Sequence, residues 1–478
     1  MTWLIVWIVI YLLVIIWFTA KHVRPSDPEQ YLVNNRKTAL IPLVFTTLAT
    51  FVGGGTSIGL IAMGYESGFA AIGIGIAYVV GFMLMLRFAG KIRDFGAENK
   101  IYTFPQYLLN RFSPGQSTGF IRLFSSSVNG VNIFIFFFLL SAQFVGMASL
   151  LKHGFSIGYQ SAAIISALIV ILYTALAGLS GVIYTDMIQF VVIVLMIVLI
   201  FIPGVMSDTI NLTRLAELPT EMLNGTFYGY TFLIGLLVFL SPSVLVRMDI
   251  WQRMLAARDA RTARLTSLWS GIGMLPFYII FPLVGMSVRL SMSPDLNANE
   301  VTYFFIDHHG NAFIAAFAIT GLLAALMSSG DSFLNIISIS AVRDFAGWRK
   351  LDMTDAAQGQ KMIRLVTVVF GMIALILALS FPYIVDLMVV GIGTIVIFVP
   401  ATLLALTHDS PQRYGLLALI SILAGFVVNT GFFTWGILSP GSFEPKSSFI
   451  PAFVVSALIM LAGLILKKSK TLSDATHP

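Results

Sequence analysis

The sequence predicts an all-α polytopic membrane protein, and three observations carry that expectation. Of 478 residues, 58% are hydrophobic and 10% are charged, against a near-even apolar share and roughly 25% charge in a soluble domain. Apolar stretches of about 18 or more residues, enough to cross roughly 30 Å of hydrocarbon as a helix, recur from end to end. The basic residues between them are concentrated in alternate loops, as expected when short Lys- and Arg-rich loops stay on the cytoplasmic side.

Taken in order, hydropathy marks thirteen spans: 3–20, 39–64, 69–90, 120–151, 160–179, 184–205, 227–247, 265–289, 312–340, 362–380, 385–406, 415–435 and 450–466. The first lacks a basic leader and a small-residue cleavage pattern and runs straight into Lys21 and Arg24. It is therefore expected to be an uncleaved helix rather than a signal peptide. With the N-terminus outside, Arg36, Lys37, Lys91, Arg93, Arg253, Arg258, Arg261, Arg349, Lys350, Lys467 and Lys468 all fall on the cytoplasmic side. Of the 28 basic residues, only Lys152, Arg214, Arg289 and Lys446 are left outside. A single integral domain over 1–478, in the cell membrane with its C-terminus in the cytoplasm, is the expectation.

This bias accounts for the net charge of +6 and the pI near 9.4, so no nucleic-acid partner is needed. The chain has no cysteine, which excludes disulfides and thiolate metal sites. Gly73-Ile74-Gly75 and Gly391-Ile392-Gly393-Thr394 lie inside apolar spans, not in the strand-to-helix turn of a nucleotide loop. With no Walker motif, the energy source is expected to be an ion gradient. No set of His, Glu or Ser residues has catalytic spacing, so an enzyme is not expected. The tail from Lys467 to Pro478 is expected to be too short for a signalling domain, and no obligatory protein partner is evident.

Two spans are interrupted. Gly53-Gly54-Gly55 breaks the second, and Ser241-Pro242-Ser243 breaks the seventh, five helices later. Glycine admits torsions a helix cannot hold, and proline removes a donor. Such breaks free carbonyls and amides inside the membrane, where protein, ion or water must satisfy them. Matched interruptions mark the binding site of many transporters built from inverted repeats, here about 39–205 and 227–406. Glycines at helix contacts and a simple proline kink are the alternative.

The ninth span carries Ser328, Asp331, Ser332 and Asn335 at i, i+3, i+4 and i+7, on one helical face. A polar stripe with a carboxylate at membrane depth lines a cavity, binds a cation or finds an ion-pair partner such as Arg343. Sodium is a hard cation that takes oxygen ligands. Ser328 and Ser329 offer hydroxyls, and the broken second span offers the carbonyls of Ala49 and Val52. Asp186, at the start of the sixth span, reads as a second ion or proton site, an inner gate or an N-cap. His308 and His309 beside Asp307 read as solvated surface, and Asp386 as interfacial or an outer gate. Thr56, Ser57, Gln143, Ser241 and Ser243 are the candidate substrate contacts, although hydroxyls and amides also join helices.

Two segments, Gly178-Leu179-Ser180-Gly181-Val182-Ile183-Tyr184-Thr185-Asp186-Met187-Ile188-Gln189 and Ala325-Leu326-Met327-Ser328-Ser329-Gly330-Asp331-Ser332, make the chain resemble the sodium:solute symporter family over most of its length. The resemblance implies a leucine-transporter-type bundle of two inverted five-helix repeats, with one extra helix before and two after. It implies a sodium site at Ala49, Val52, Ala325, Ser328 and Ser329. It also implies a second ion site at Asp186, Ser328, Asp331 and Ser332, where Asp331 departs from a serine of two-sodium relatives. The expected function is sodium-coupled import of a small organic solute by alternating access; a proton-coupled carrier or a transporter-like sensor are the alternatives. The stretch Ala49 to Gly55 is similar to the choline-transporting branch, and the polar pocket of the sugar branch is not evident at the matching positions.

Overall fold

The structure, a computed structural model, describes residues 2–22, 28–291, 296–345 and 356–475. Arg24, Arg349 and Lys350 lie outside the described residues, as do the side chains of 176–180, Arg343, Lys467 and Lys468. Among the described residues the regular elements are helices, with one isolated β-bridge between Thr38 and Ala257. The principal ones are α1 Thr2–His22, α2 Leu40–Phe51, α3 Leu60–Ser67, α4 Ala70–Glu98, α5 Phe104–Phe112 and α6 Thr118–Phe155. There follow α7 Tyr159–Met196, α8 Ile202–Asp208, α9 Gly229–Gly235, α10 Met248–Ala256, α11 Ala260–Ser291 and α12 Val301–His309. The last six are α13 Ala312–Ile339, α14 Ala356–Ser380, α15 Ile384–Ile395, α16 Val399–Thr407, α17 Gly415–Leu438 and α18 Phe449–Ala475.

Eleven described helices are long and apolar enough to cross a bilayer, or twelve when the bent pair around Gly53 counts as one span. That pair, Leu40–Phe51 and Gly55–Ser67, turns by 60° at the glycines where the sequence predicts a break. Val52 closes the last α-type turn, its N–H donating to Leu48 O. A π-type turn then starts at Gly55.

The second break is displaced from its expected place. Ser241-Pro242-Ser243 keeps helical torsions inside a continuous span, Gly229–Val246, and a π-type turn over Leu236–Leu240 directly precedes it. The chain opens at Arg247, with φ −76° and ψ 119°, before α10 begins.

Helical backbone runs through Tyr159–Met196, yet the chain reverses within it. Tyr159 donates to Ala378 O, and Ile171 packs on Gly371, so this part runs antiparallel to α14. Asp186, Met196 and Asp208 meet Ser328, Gly321 and His309 in turn, so the later part runs antiparallel to α13. α13 and α14 are themselves antiparallel, since α6 meets both, Asn132 at Ser340 and Gly146 at Leu326 on α13, Ser141 at Ala374 on α14, while Ser338 meets Thr367. The direction therefore inverts between Ile171 and Asp186. Tyr159 and Asp208 end up on one face of the bundle.

Close helix contact holds the broken span in place. α11 lies against α3 so tightly that a Cβ on Gly285 would stand 2.0 Å from Ile61 O and 2.4 Å from Tyr65 N; one on Gly64 would stand 2.2 Å from Pro282 O. In a bilayer, where burying apolar surface drives little association, such small-residue contacts supply the packing. Gly285→Ala should destabilise by roughly 3 kcal/mol, the upper end for overpacking, because backbone atoms cannot step aside. A lowered thermal midpoint in detergent would register it; an unchanged midpoint would mean that the two helices separate freely.

On the face opposite Asp208, arginines cap helix ends. Arg36 donates to Leu255 O and Ile101 O, Arg93 to Ala257 O and Arg258 O, and Arg111 to Ala405 O and His408 O. Leu255 O and Ala405 O belong to the last turns of α10 and α16, whose carbonyls lack partners within the helix and carry the negative end of the dipole, and the other four lie just past a helix end. Desolvation around the buried Arg36 lowers its guanidinium pKa, which Glu29 at 3.2 Å partly offsets.

Candidate ion-coupling site

The site lies where the end of α2 meets the middle of α13. A Cβ on Gly53 would stand 2.2 Å from Ser329 Oγ and 2.8 Å from Gln143 Oε1. Only glycine lets α13 and α6 approach this close. Ser329 Oγ donates to Thr50 O at 2.7 Å and lies 3.3 Å from Ala325 O, joining the two helices by one hydroxyl. Ala49, Val52, Ala325, Ser328 and Ser329 are all buried here, within a turn or so of that contact on their two helices. The carbonyl that Ser329 meets belongs to Thr50, between the expected Ala49 and Val52.

Ser328 is turned the other way, donating to Asp186 Oδ1 at 2.6 Å. Thr46 donates to Asp186 Oδ2, and Arg253 Nη2 lies 3.5 Å from the same oxygen. Asp186 is thus not a solvent-exposed cap. It is a fully buried carboxylate reached from three other helices.

Arg253 Nη2 also lies 2.8 Å from Thr50 Oγ1, 2.8 Å from Ser332 Oγ and 3.1 Å from Thr46 Oγ1. Its two N–H groups cannot serve four acceptors in ideal geometry. The nitrogen is better described as a tethered cation in a nest of oxygens. Two residues expected at a second ion site, Asp186 and Ser332, face this guanidinium. Arg253, expected at the cytoplasmic end of its span, has a side chain only 1% exposed.

Asp331 points elsewhere. Tyr173 donates to its Oδ2, while Oδ1 has no hydrogen-bond partner among the described residues. Beside it Tyr11 of α1 accepts from Gln189 and meets Met327 Sδ at 3.6 Å, bringing the first helix to the core. The described contacts of Asp331 contain no direct ion pair, and the Arg343 side chain lies outside them.

The expected substrate contacts divide. Gln143 Oε1 accepts from Gly54 N at 2.8 Å, Ser57 donates to Gly53 O at 3.0 Å, and Thr56 lies 3.1 Å from the Tyr278 hydroxyl. These three gather at the first break. Ser243 instead donates to Leu240 O, and Ser241 has a buried hydroxyl without a partner among the described residues, its carbonyl packed on Gly81. Asp386 is paired with Lys446 at 2.8 Å, both half-exposed, and that hydrogen bond holds the Lys446 ammonium above its usual pKa.

Sequence reasoning missed Arg247, Asp249 and Arg253. Arg247 forms a two-point pair with Asp249 at 3.0 and 2.6 Å and stacks on Phe51 at 4.0 Å, linking the two breaks. The signal was three charges within seven positions, bounded by Val244-Leu245-Val246 and Met254-Leu255-Ala256. Flanked by apolar residues on both sides, they were placed to be buried.

A helical bundle with a broken central span, freed main chain facing hydroxyls and a buried carboxylate alongside has the build of an ion-coupled membrane transporter. The chain belongs to the sodium:solute symporter family, whose model matches residues 31–425. It is 25% identical to a high-affinity proline transporter of Bacillus subtilis, over 93% of this chain and 94% of that one. It is also 25% identical to a sodium/proline symporter of Haemophilus influenzae, over 67% of this chain and 66% of the relative. In fold it is similar to a Na+-coupled sialic acid symporter solved substrate-bound and outward-open, with TM-score 0.76 at 18% identity over 97% of each chain. It is a transporter, not an enzyme, and sodium is the co-transported ion.

Proposed function

We propose that the chain imports a small zwitterionic amino acid of the proline class by sodium-coupled alternating access, taking one sodium per cycle. The observation that carries the coupling is the contact between the broken end of α2 and α13 through Ser329. Sodium joins the carbonyls of Ala49 and Val52 to the oxygens of Ala325, Ser328 and Ser329 and clamps the two helices. Clamping favours the substrate-ready state, so each ligand raises the affinity of the other. Thr56, Ser57 and Gln143 at the same break are the proposed substrate contacts; Ser241 and Ser243 are secondary to them.

The single sodium follows from Arg253. Its guanidinium stands among Thr46, Thr50, Asp186 and Ser332, so a second cation there would meet a fixed like charge. The substrate class rests on the proline-transporting relatives. The topology proposed is thirteen spans, N-terminus outside and C-terminus inside, with halves near 39–205 and 227–406 related by inversion. The reversal between Ile171 and Asp186 supports two spans within α7, and the breaks at Gly53 and Arg247 support the paired halves.

A test is uptake of labelled proline into proteoliposomes under an inward sodium gradient, compared with potassium and with a pH gradient alone. Sodium-driven accumulation with a Hill coefficient near one is the expected result. Uptake that follows pH and ignores sodium would instead assign coupling to Asp331. Binding without uptake would make the chain a sensor.

A further inference from the structure

We propose a transition-metal site of the zinc class on the face that carries Asp208, built from Asp208, His308 and His309. Asp208 is the last residue of α8, and the histidines are the last two of α12, some hundred positions away. One ligand atom from each lies within 4.8 Å of the others. Two imidazoles and a carboxylate are the donor set of a three-ligand zinc site with a fourth position open. Nickel and copper suit the same set, whereas magnesium and calcium prefer oxygen cages.

The histidine pair alone reads as solvated surface, and the fold changes that by delivering Asp208. His309 Nε2 lies 2.9 Å from Asp208 Oδ2, and both side chains are largely buried, 13% and 8% exposed. The His309 ring packs on Phe305 at 4.5 Å, and a Cβ on Gly204 would stand 3.0 Å from it. The imidazole is therefore held between two helices before any metal arrives. His308 is exposed, stands edge-on to His309 at 4.9 Å and gives a metal its way in. The free carbonyls at the end of α12 bias the place further toward a cation.

The neighbouring pair His153 and Asp307, 3.1 Å apart, makes a useful contrast. It has no third ligand among the described residues and joins no such cluster. Metal at the proposed site ties the end of α8 to the corner that leads into α13. The site stands independently of the transport reading, because binding is measured on purified protein.

The test is thermal unfolding of the full chain in detergent, with any affinity tag removed, titrated with micromolar zinc and separately with millimolar magnesium. The midpoint is expected to rise with zinc and not with magnesium. His308→Gln, at an exposed position, should leave the metal-free midpoint unchanged and abolish the zinc shift; Asp208→Asn should weaken it. No zinc shift in the native chain, or a full shift in His308→Gln, would overturn the proposal.

Discussion

Asp186→Asn is expected to lower stability by about 3–5 kcal/mol, because it leaves the buried Arg253 guanidinium without its carboxylate. The effect is large because the ion pair has almost no water to fall back on, both side chains being 1% exposed or less. Thr46 and Ser328 would also lose the anion they donate to. Combining it with Arg253→Met should recover much of the stability, since the uncompensated charge goes with the arginine. Uptake should not recover with it, because Ser328 no longer has an anion across from it. A thermal midpoint for each single and for the double variant closes the cycle. If Asp186→Asn melts like the native protein, the guanidinium is not held by this carboxylate.

The second large effect falls on sodium. Ser329→Ala removes the one hydroxyl that meets both Thr50 O and Ala325 O, and the sodium concentration for half-maximal uptake should rise at least about tenfold, or 1.4 kcal/mol. Gly53→Ala should act in the same direction by a different route, since its Cβ would displace Ser329 Oγ. Ser328→Ala should weaken sodium dependence too, while also removing a donor from Asp186. Ser338→Ala is the control: this serine lies further along α13, bonded to Leu334 O and Thr367. Unchanged sodium activation in Ser329→Ala would remove the proposed clamp.

Much of this was legible in the chain itself. Hydropathy adds up residue by residue, so the spans, the break at Gly53 and the polar stripe from Ser328 to Asn335 needed no partner to be seen. The serine pair Ser328-Ser329 and the glycine break that frees main chain were legible for the same reason, since both are local features. The second break was misjudged because Pro242 looks like a breaker in sequence, whereas the helix carries on through it after a π-type turn at Leu236–Leu240 and opens only at Arg247.

The rest depended on which helix faces meet. The sequence by itself determined a membrane bundle, its broken second span, a polar stripe with a serine pair on the ninth span, and a histidine pair with no evident purpose. Only the tertiary structure decided that Asp186 faces Ser328 across 142 positions, and that Arg253 occupies the oxygens expected to hold a second ion. It alone gave Asp331 Tyr173 for a partner and brought Asp208 to His309. Burying a charge is unfavourable unless its partner is present, and that partner arrives on another helix. The glycine contacts that set helix spacing and rotation therefore decide which polar groups are satisfied, and no local pattern in the sequence records that choice.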